Sequence, residues 1–119
     1  MKIIEEFGKI TDGLKEVQSY LKNIPYLPND EEANVIKRRV NEVLEIVHAD
    51  LLRPVSDKSE TTDQLYLIFH HLTELKDLLT DGARLSLAGL PTFNTWLTIT
   101  SLLGTILMNL YRLKAQVTE

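Results

Sequence analysis

Apolar residues recur at alternating steps of three and four through four long stretches of this chain. In the first stretch they are Ile3, Phe7, Ile10, Leu14, Val17, Leu21 and Ile24. This spacing puts one apolar side chain per turn on the same face of an α-helix, whereas a half-buried strand needs alternation at every second residue. No stretch shows that alternation. The pattern therefore predicts an all-α protein.

The four stretches predict helices over 2–24, 30–52, 58–81 and 91–117. Prolines separate them because proline cannot donate the next helical hydrogen bond; they are Pro25, Pro28 and Pro54, with Pro91 suited to a first helical position. Pairs with capping-box spacing precede the second and third helices; they are Asn29 with Glu32 and Asp57 with Glu60.

Glycines indicate where helices bend or end. Gly82 is expected to close the third helix in a left-handed conformation, after which a short further helix over 83–88 ends at Gly89. A kink is expected near Thr11–Gly13, because Gly8 and Gly13 each weaken the first helix by about 1 kcal/mol relative to alanine. Four long helices with short connections predict an antiparallel up-down four-helix bundle, with residues 1–119 as a single domain.

The composition excludes several kinds of site. The chain has no cysteine, which rules out disulfides, thiolate metal ligands and a thiol nucleophile, and fits a cytoplasmic location. A net charge of −4 argues against nucleic-acid binding, which needs a dense basic surface. The short basic run Lys37–Arg39 is most simply a solvated helix face.

The fourth helix raises the question of a membrane, since residues 85–111 carry no charged side chain. Its polar residues nevertheless form one ridge at steps of three and four: Asn94, Thr98, Ser101, Thr105, Asn109 and Arg112. The opposite side is wide and apolar: Trp96, Ile99, Leu103, Ile106, Leu107, Leu110 and Leu113. A single spanning helix would expose the ridge to lipid, so the division favours an amphipathic helix of a bundle over a membrane span.

Apolar surface beyond the needs of one core suggests an interface. The wide side of the fourth helix is one example. On the third helix, Leu67, His71 and Leu78 form a second stripe beside the inner face. The candidate interface therefore combines this stripe with Asn94, Thr98, Ser101 and Thr105, whose small side chains allow close approach of another helix. The expected occupant is a protein partner or a second copy of the chain; the alternative is that the fourth helix is simply central in the bundle.

Two histidine–carboxylate pairs have the spacing of metal ligands on a helix. Glu45 and His48 match the Glu-x-x-His pattern, and His70 and Glu74 lie four residues apart, so the chain resembles hemerythrin-like and ferritin-like bundles at these positions. A hairpin that turns near Val55 would place His48 level with Thr62, about 12 Å from His70 along the bundle. We therefore expect no shared metal site and no cofactor.

The pairs Glu42/Glu45 and Glu74/Asp77 resemble the acidic pattern of all-α nucleotide pyrophosphohydrolases, which bind magnesium between two facing helices. Asn41 stands where that family has a further glutamate, and the same hairpin would separate the two pairs.

The segment FHHLTELK resembles a histidine-phosphotransfer motif, with His70 as the exposed histidine. Thr73 replaces the family's lysine, and Glu74 and Asp77 would repel a phosphoryl group. The sequence therefore predicts a non-enzymatic bundle that acts by association, as an adaptor, inhibitor, immunity-type protein or regulatory subunit. A phosphotransfer protein and a degenerate pyrophosphohydrolase are the alternatives.

Overall fold

The computed structural model describes residues 2–22, 30–52 and 59–118. Within these ranges the chain is helical, without strands, which confirms the all-α prediction. The helices are α1 Lys2–Glu5, α2 Phe7–Lys22, α3 Asp30–Leu52, α4 Ser59–Leu87 and α5 Phe93–Thr118. The caps predicted at Asn29 and Asp57, and the prolines at 25, 28 and 54, lie outside the described residues.

The first predicted helix is interrupted once, at Glu6. The amide of Glu6 donates to the carbonyl of Lys2 at 3.0 Å, and the amide of Ile10 donates to the carbonyl of Glu6 at 2.9 Å. Both bonds span four residues as in an α-helix, so α1 and α2 follow one another closely. α2 runs as one helix through Thr11–Gly13, where the sequence predicts a kink.

α4 continues through Gly82 to Leu87, which corrects two predictions. Gly82 does not close the helix, and residues 83–87 belong to α4 instead of a separate short helix. Gly82 is buried three residues after the buried Leu79, so it occupies the next inner position of the row. Burial at an inner position outweighs the weak helix propensity of glycine, which is about 1 kcal/mol.

α4 ends at Leu87, and Gly89 follows as the glycine that terminates it, as predicted. Gly89 has a φ of +70°, the one positive φ among the described residues. The amide of Leu90 donates to the carbonyl of Leu85 at 2.9 Å. A left-handed glycine with this six-residue hydrogen bond is a Schellman motif, which satisfies a helix-end carbonyl and turns the chain toward α5.

Two glycine substitutions should have opposite effects on stability. Gly89→Ala should lower the free energy of unfolding by about 1–2 kcal/mol, because a Cβ is strained in the left-handed region. Gly8→Ala should raise it by about 0.5–1 kcal/mol, because a Cβ added to this helical glycine meets nothing within 4 Å. Urea denaturation of both variants checks the pair. Equal effects at the two sites would contradict the assigned conformation of Gly89.

One hydrophobic core connects all the helices. The predicted inner rows of the second and third helices comprise Ile36, Val40, Val43, Leu44, Val47 and Leu51, and Leu65, Ile68, Phe69, Leu72, Leu75 and Leu79. With the described part of the first row they are buried, except for Leu44, Leu51 and Phe69, which are partly buried against the core. On α5 the buried apolar residues are Ile99, Leu102, Leu103, Ile106, Leu107, Leu110 and Leu113. From Ile99 to Leu113, the wide apolar side of α5 is therefore covered within the chain, and these residues need no second chain to bury them.

α3 packs antiparallel to α1 and to α4, and α4 packs antiparallel to α5. The start of α1 contacts Asp50 near the end of α3, and the His48 ring of α3 lies 6.0 Å from the Phe69 ring of α4. Gln64 near the start of α4 donates to the carbonyl of Asn109 near the end of α5 at 3.5 Å. α5 also packs against α2, which closes the bundle. The bundle measures 50 × 23 × 21 Å.

Asp50 links the beginning of the chain to α3. Its carboxylate is buried and accepts hydrogen bonds from the amides of Lys2 at 2.9 Å and Ile3 at 2.8 Å. These amides lie in the first turn of α1, where the backbone has no partner inside the helix. Asp50 thus caps a helix 48 residues away in sequence. No local pattern signals such a cap.

Among the described helices, none combines the length and the apolar character needed to cross a membrane.

Candidate functional site

One side of α5 is covered by α2. The Tyr111 ring packs edge-on against the Phe7 ring, with 5.4 Å between centroids. The Lys15 ammonium lies 5.2 Å from the Tyr111 ring centroid, and a hydrogen bond with Tyr111, the main cause, raises the pKa of Lys15 above its ordinary value. α2 therefore occupies this flank, which leaves the opposite flank and the outward side of α5 to be considered.

The outward side of α5 is exposed and uncharged. It consists of the exposed residues Asn94, Leu97, Thr98, Ser101 and Met108 and the partly exposed Thr105, which we call the α5 outer face. Leu97 and Met108 are 52% and 53% exposed. The next charged residue along α5 is Arg112, and α5 carries none before it. A surface helix usually places charges on its outer side, so this face is unusual for a helix that meets only water.

A groove joins the α5 outer face to α4. It holds about 340 Å³ and is lined by His71 of α4 and by Leu97, Thr98, Ser101, Leu102 and Thr105 of α5. The predicted interface combines His71, Thr98, Ser101 and Thr105 from two helices, and the structure places these four around one groove. The antiparallel pairing of α4 and α5 produces this arrangement, because it lays the middle of one helix beside the middle of the other.

The other predicted interface residues lie around this groove. Leu67 is exposed on α4, four residues from His71, while Leu78 is partly buried against the core. Asn94 is exposed near the start of α5. Leu78 therefore offers less free surface than predicted. We call the α5 outer face, together with Leu67, His71 and Leu78, the α4/α5 face.

Sequence reasoning missed Leu97 and Met108, the largest exposed apolar side chains of the α5 outer face. The helical spacing contains the signal. Leu97 lies four residues before Ser101, and Met108 lies seven residues after it, so both share the side of the helix that carries the predicted polar ridge. Exposed apolar residues on an otherwise polar ridge indicate an interaction surface and not only a solvated helix face.

Asn109 departs from the predicted ridge because it is buried, with 4% of its surface exposed. Its position turns it toward α4, where its backbone carbonyl accepts from Gln64. Its side-chain nitrogen has no hydrogen-bond partner within the described structure. The exposed part of the ridge therefore ends at Thr105, before Asn109, and resumes at Arg112.

The hydroxyl groups of the α5 outer face differ in which hydrogen-bond donors and acceptors remain unused. Thr98 donates to the carbonyl of Asn94 at 2.9 Å, and Thr105 donates to the carbonyl of Ser101 at 3.2 Å. The oxygens of these two threonines remain acceptors. The Ser101 side chain has no hydrogen bond to any described residue, so it keeps both its donor and its acceptors.

His71 and Glu74 add a polar edge on the α4 side. The His71 side chain is 20% exposed, and its Nδ1 lies 3.8 Å from a Glu74 oxygen, beyond hydrogen-bond distance. Nδ1 has no hydrogen-bond partner among the described residues. Glu74 instead contacts the Nε2 of His70 at 3.0 Å. His71, which lines the groove, thus has one buried ring nitrogen whose hydrogen-bonding capacity is unused.

The predicted register of the α3–α4 hairpin was wrong. His48 lies beside Phe69, not beside Thr62, because packing of the inner rows sets the register and not the midpoint of the connection. The correction brings His48 and Glu45 into one groove with Thr73 and Lys76. No group of three potential metal-ligating side chains forms among the described residues.

The four carboxylates of the pyrophosphohydrolase-like pattern lie on different sides of the bundle. Glu42 lines the groove between α2 and α3, and Glu45 lines both that groove and the one between α3 and α4. Glu74 contacts the histidines on the other flank of α4. Asp77 is exposed. This arrangement does not converge on one magnesium ion, which needs oxygen ligands about 2 Å from a common point.

The groove between α2 and α3 differs from the α4/α5 groove in its charges. It holds about 350 Å³, and charged side chains of both signs surround it: Lys2, Glu6, Lys9, Arg39, Glu42 and Glu45. Arg39 of the predicted basic run pairs with Glu16 at 3.2 Å. Charged side chains are mostly found in contact with water. The six charged side chains therefore identify this groove as an ordinary solvated surface.

No family model, curated protein sequence or solved structure matches this chain.

Proposed function

We propose that this protein acts without catalysis, by binding another protein through the α4/α5 face. The observation that supports the proposal is the exposed and uncharged α5 outer face, with Leu97 and Met108 on either side of Ser101. The buried centres of protein interfaces are depleted in charge, and exposed apolar patches on a helical surface are typical of interaction sites. Adaptor, inhibitor, immunity-type protein and regulatory subunit are the roles that fit this activity.

The shape of the face also suits a protein partner. The groove beside His71 is shallow and lies between two long helices, and hydroxyl groups line it. Small side chains at the middle of α5 allow the backbone of a partner to approach closely. Enclosed pockets that surround most of a small ligand have a different form. We place the protein in the cytoplasm, a location with which the absence of cysteine is compatible.

The alternative functions require other residues. Phosphotransfer would use His70, which is 68% exposed on its side chain but has a Glu74 oxygen 3.0 Å from its Nε2. A carboxylate at that distance repels a phosphoryl group on the same nitrogen. A pyrophosphohydrolase would need the carboxylates that lie on separate flanks. Phosphoryl acceptance that His70→Gln abolishes, or magnesium-dependent hydrolysis of nucleoside triphosphates, would support these alternatives.

Ser101→Arg should abolish binding of the partner, with a loss of at least tenfold in affinity, because it places a charge at the centre of a buried interface. Thr80→Arg is the matched control. Thr80 is an exposed helical hydroxyl residue four residues after Lys76, which lines the α3–α4 groove, so it lies on the far flank of α4.

The measurement is quantitative capture from extracts of the source cells, followed by titration of the purified partner. The proposal requires that a partner bound by the wild type and by Thr80→Arg is lost with Ser101→Arg. It fails if Ser101→Arg, with an unchanged helical circular dichroism spectrum, retains every partner.

A further inference from the structure

We propose that Asn109 fixes the register of α5 against α4, at the expense of stability. Asn109 is 4% exposed, and the other buried residues in the described part of α5 are all apolar. A single polar residue in an apolar row is a known means of selecting one alignment of two helices over others. This role belongs to the isolated chain and does not require a partner.

The Asn109 side chain destabilises the row in which it lies. Its Nδ2 is buried and has no hydrogen-bond partner within the described structure. A buried donor without a partner loses its bonds to water and gains none in return, so it lowers the stability of the fold. Asn109 lies three residues after Ile106 and four before Leu113, both fully buried. A leucine at this position would continue their row without that loss. Asn109 must therefore contribute something other than stability.

Gln64 of α4 is the polar residue that lies level with Asn109. Its Nε2 donates to the backbone carbonyl of Asn109 at 3.5 Å. The same Gln64 amide carries an oxygen, which is the kind of acceptor that the unpaired Nδ2 of Asn109 needs. The neighbouring inner residues of α4, Leu65 and Ile68, are apolar and buried. The observed register therefore places the buried amide of α5 beside an amide of α4.

A slip of α5 by one helical turn toward the middle of α4 would remove this match. Asn109 would move about four residues along α4 and lie level with Ile68, which is 0% exposed. Its amide group would then meet apolar side chains, and burial of a polar group in such surroundings is unfavourable. A leucine in place of Asn109 would fit both alignments, because the helical repeat by itself leaves registers one turn apart open.

The register also determines which side chains meet in the groove between α4 and α5. His71 lines this groove together with Thr98, Ser101 and Thr105. The slip described above would move His71 about 5 Å along α5, away from Thr98. Asn109 is thus a positioning residue for the α4/α5 face. Only this consequence for binding rests on the proposed function.

A distance between two nitroxide labels measures the register directly. The labels are attached to Asp77→Cys on α4 and Ala115→Cys on α5; both positions are exposed, and the chain has no other cysteine. From the level of Gln64 and Asn109, Asp77 lies 13 residues along α4 and Ala115 lies six residues along α5. Because the helices are antiparallel, these offsets add to an axial separation of about 28 Å.

Double electron–electron resonance of the labelled wild type should show one distance population. Asn109→Leu should add a second population about 5 Å shorter, and its urea midpoint of unfolding should shift upward. An ordinary structural residue would show neither effect, since its replacement lowers the midpoint and leaves one distance. Gln64→Leu should add the same second population but shift the midpoint downward, because Asn109 then has no amide beside it in either register.

Thr11→Val is the matched control. Thr11 is also buried, but its hydroxyl donates to the carbonyl of Phe7 in its own helix at 2.9 Å, so it carries no information about register. It should leave a single distance. An unchanged single distance in Asn109→Leu, or failure of this variant to fold, overturns the inference. Either result leaves the proposed function standing, because the labels are measured without a partner and Ser101→Arg tests binding separately.

Discussion

Leu103→Ala should lower the free energy of unfolding by about 2–5 kcal/mol, the range for removing a fully buried leucine side chain from a close-packed core. Leu103 is 0% exposed and lies between Ile99 and Ile106 on the inner row of α5. The core spans all the helices, so a cavity at this point removes contacts that neighbouring side chains cannot replace without moving the helices. Urea denaturation monitored by circular dichroism gives the value, provided that the slope with urea concentration stays unchanged.

The control for this prediction is Leu52→Ala. Leu52 is the last residue of α3 and is 69% exposed, so its truncation should change the free energy of unfolding by no more than about 0.5 kcal/mol. A change of less than about 1 kcal/mol for Leu103→Ala would mean that this side of α5 is outside the core. The wide apolar side of α5 would then again be available to a membrane or to another chain.

The architecture was predictable because it depends on a repeated signal. Each helix repeats an inner position every three or four residues, so errors at single residues do not alter the assignment. Gly82 shows the limit of local rules. As an isolated residue it favours the end of a helix, but three residues after Leu79 it continues a buried row. Packing along the whole helix determines whether Gly82 ends the helix or continues the buried row. Packing of this kind is not a local property of the sequence.

The relative positions of the helices were not predictable in the same way. The connection between α3 and α4 suggested a midpoint near Val55, yet His48 lies beside Phe69. The sliding of one helix along another is determined by how the inner side chains interlock, and the helical repeat leaves several registers open. Sequence arguments that combined residues from two helices were therefore the weakest, as the metal and magnesium patterns show.

The candidate face was predicted in part. His71, Thr98, Ser101 and Thr105 were identified from their spacing, and the antiparallel pairing of α4 and α5 joins them. The predicted interface, however, was attributed to surplus apolar surface on the wide side of α5. The wide apolar side of α5 is buried within the chain from Ile99 to Leu113, and Leu97 and Met108 are exposed on the other side. The feature that carries the proposal is thus the lack of charge on the polar side of the helix.

Asp50→Ala should destabilise the protein by about 2–3 kcal/mol, although the residue belongs to no predicted site. Its carboxylate accepts from two amides of the first turn of α1, at 2.9 and 2.8 Å, and it is 5% exposed. Hydrogen bonds to a charged acceptor contribute about 1.5–3 kcal/mol, and their loss leaves the buried amide of Ile3 without a partner. Asp50→Asn keeps one acceptor oxygen, so it should cost about half as much.

The loss of Asp50 should also affect mainly the region around α1. Because Asp50 connects α1 to α3, its loss should release the first residues before the rest of the bundle unfolds. Hydrogen exchange should therefore accelerate at the amide of Ile3 in Asp50→Ala and remain slow on the inner rows of α4 and α5. Asp77→Ala, which alters an exposed aspartate of α4, should change neither exchange nor stability by more than about 0.5 kcal/mol. If the two variants behave alike, the cap across 48 residues does not contribute to holding α1 on the bundle.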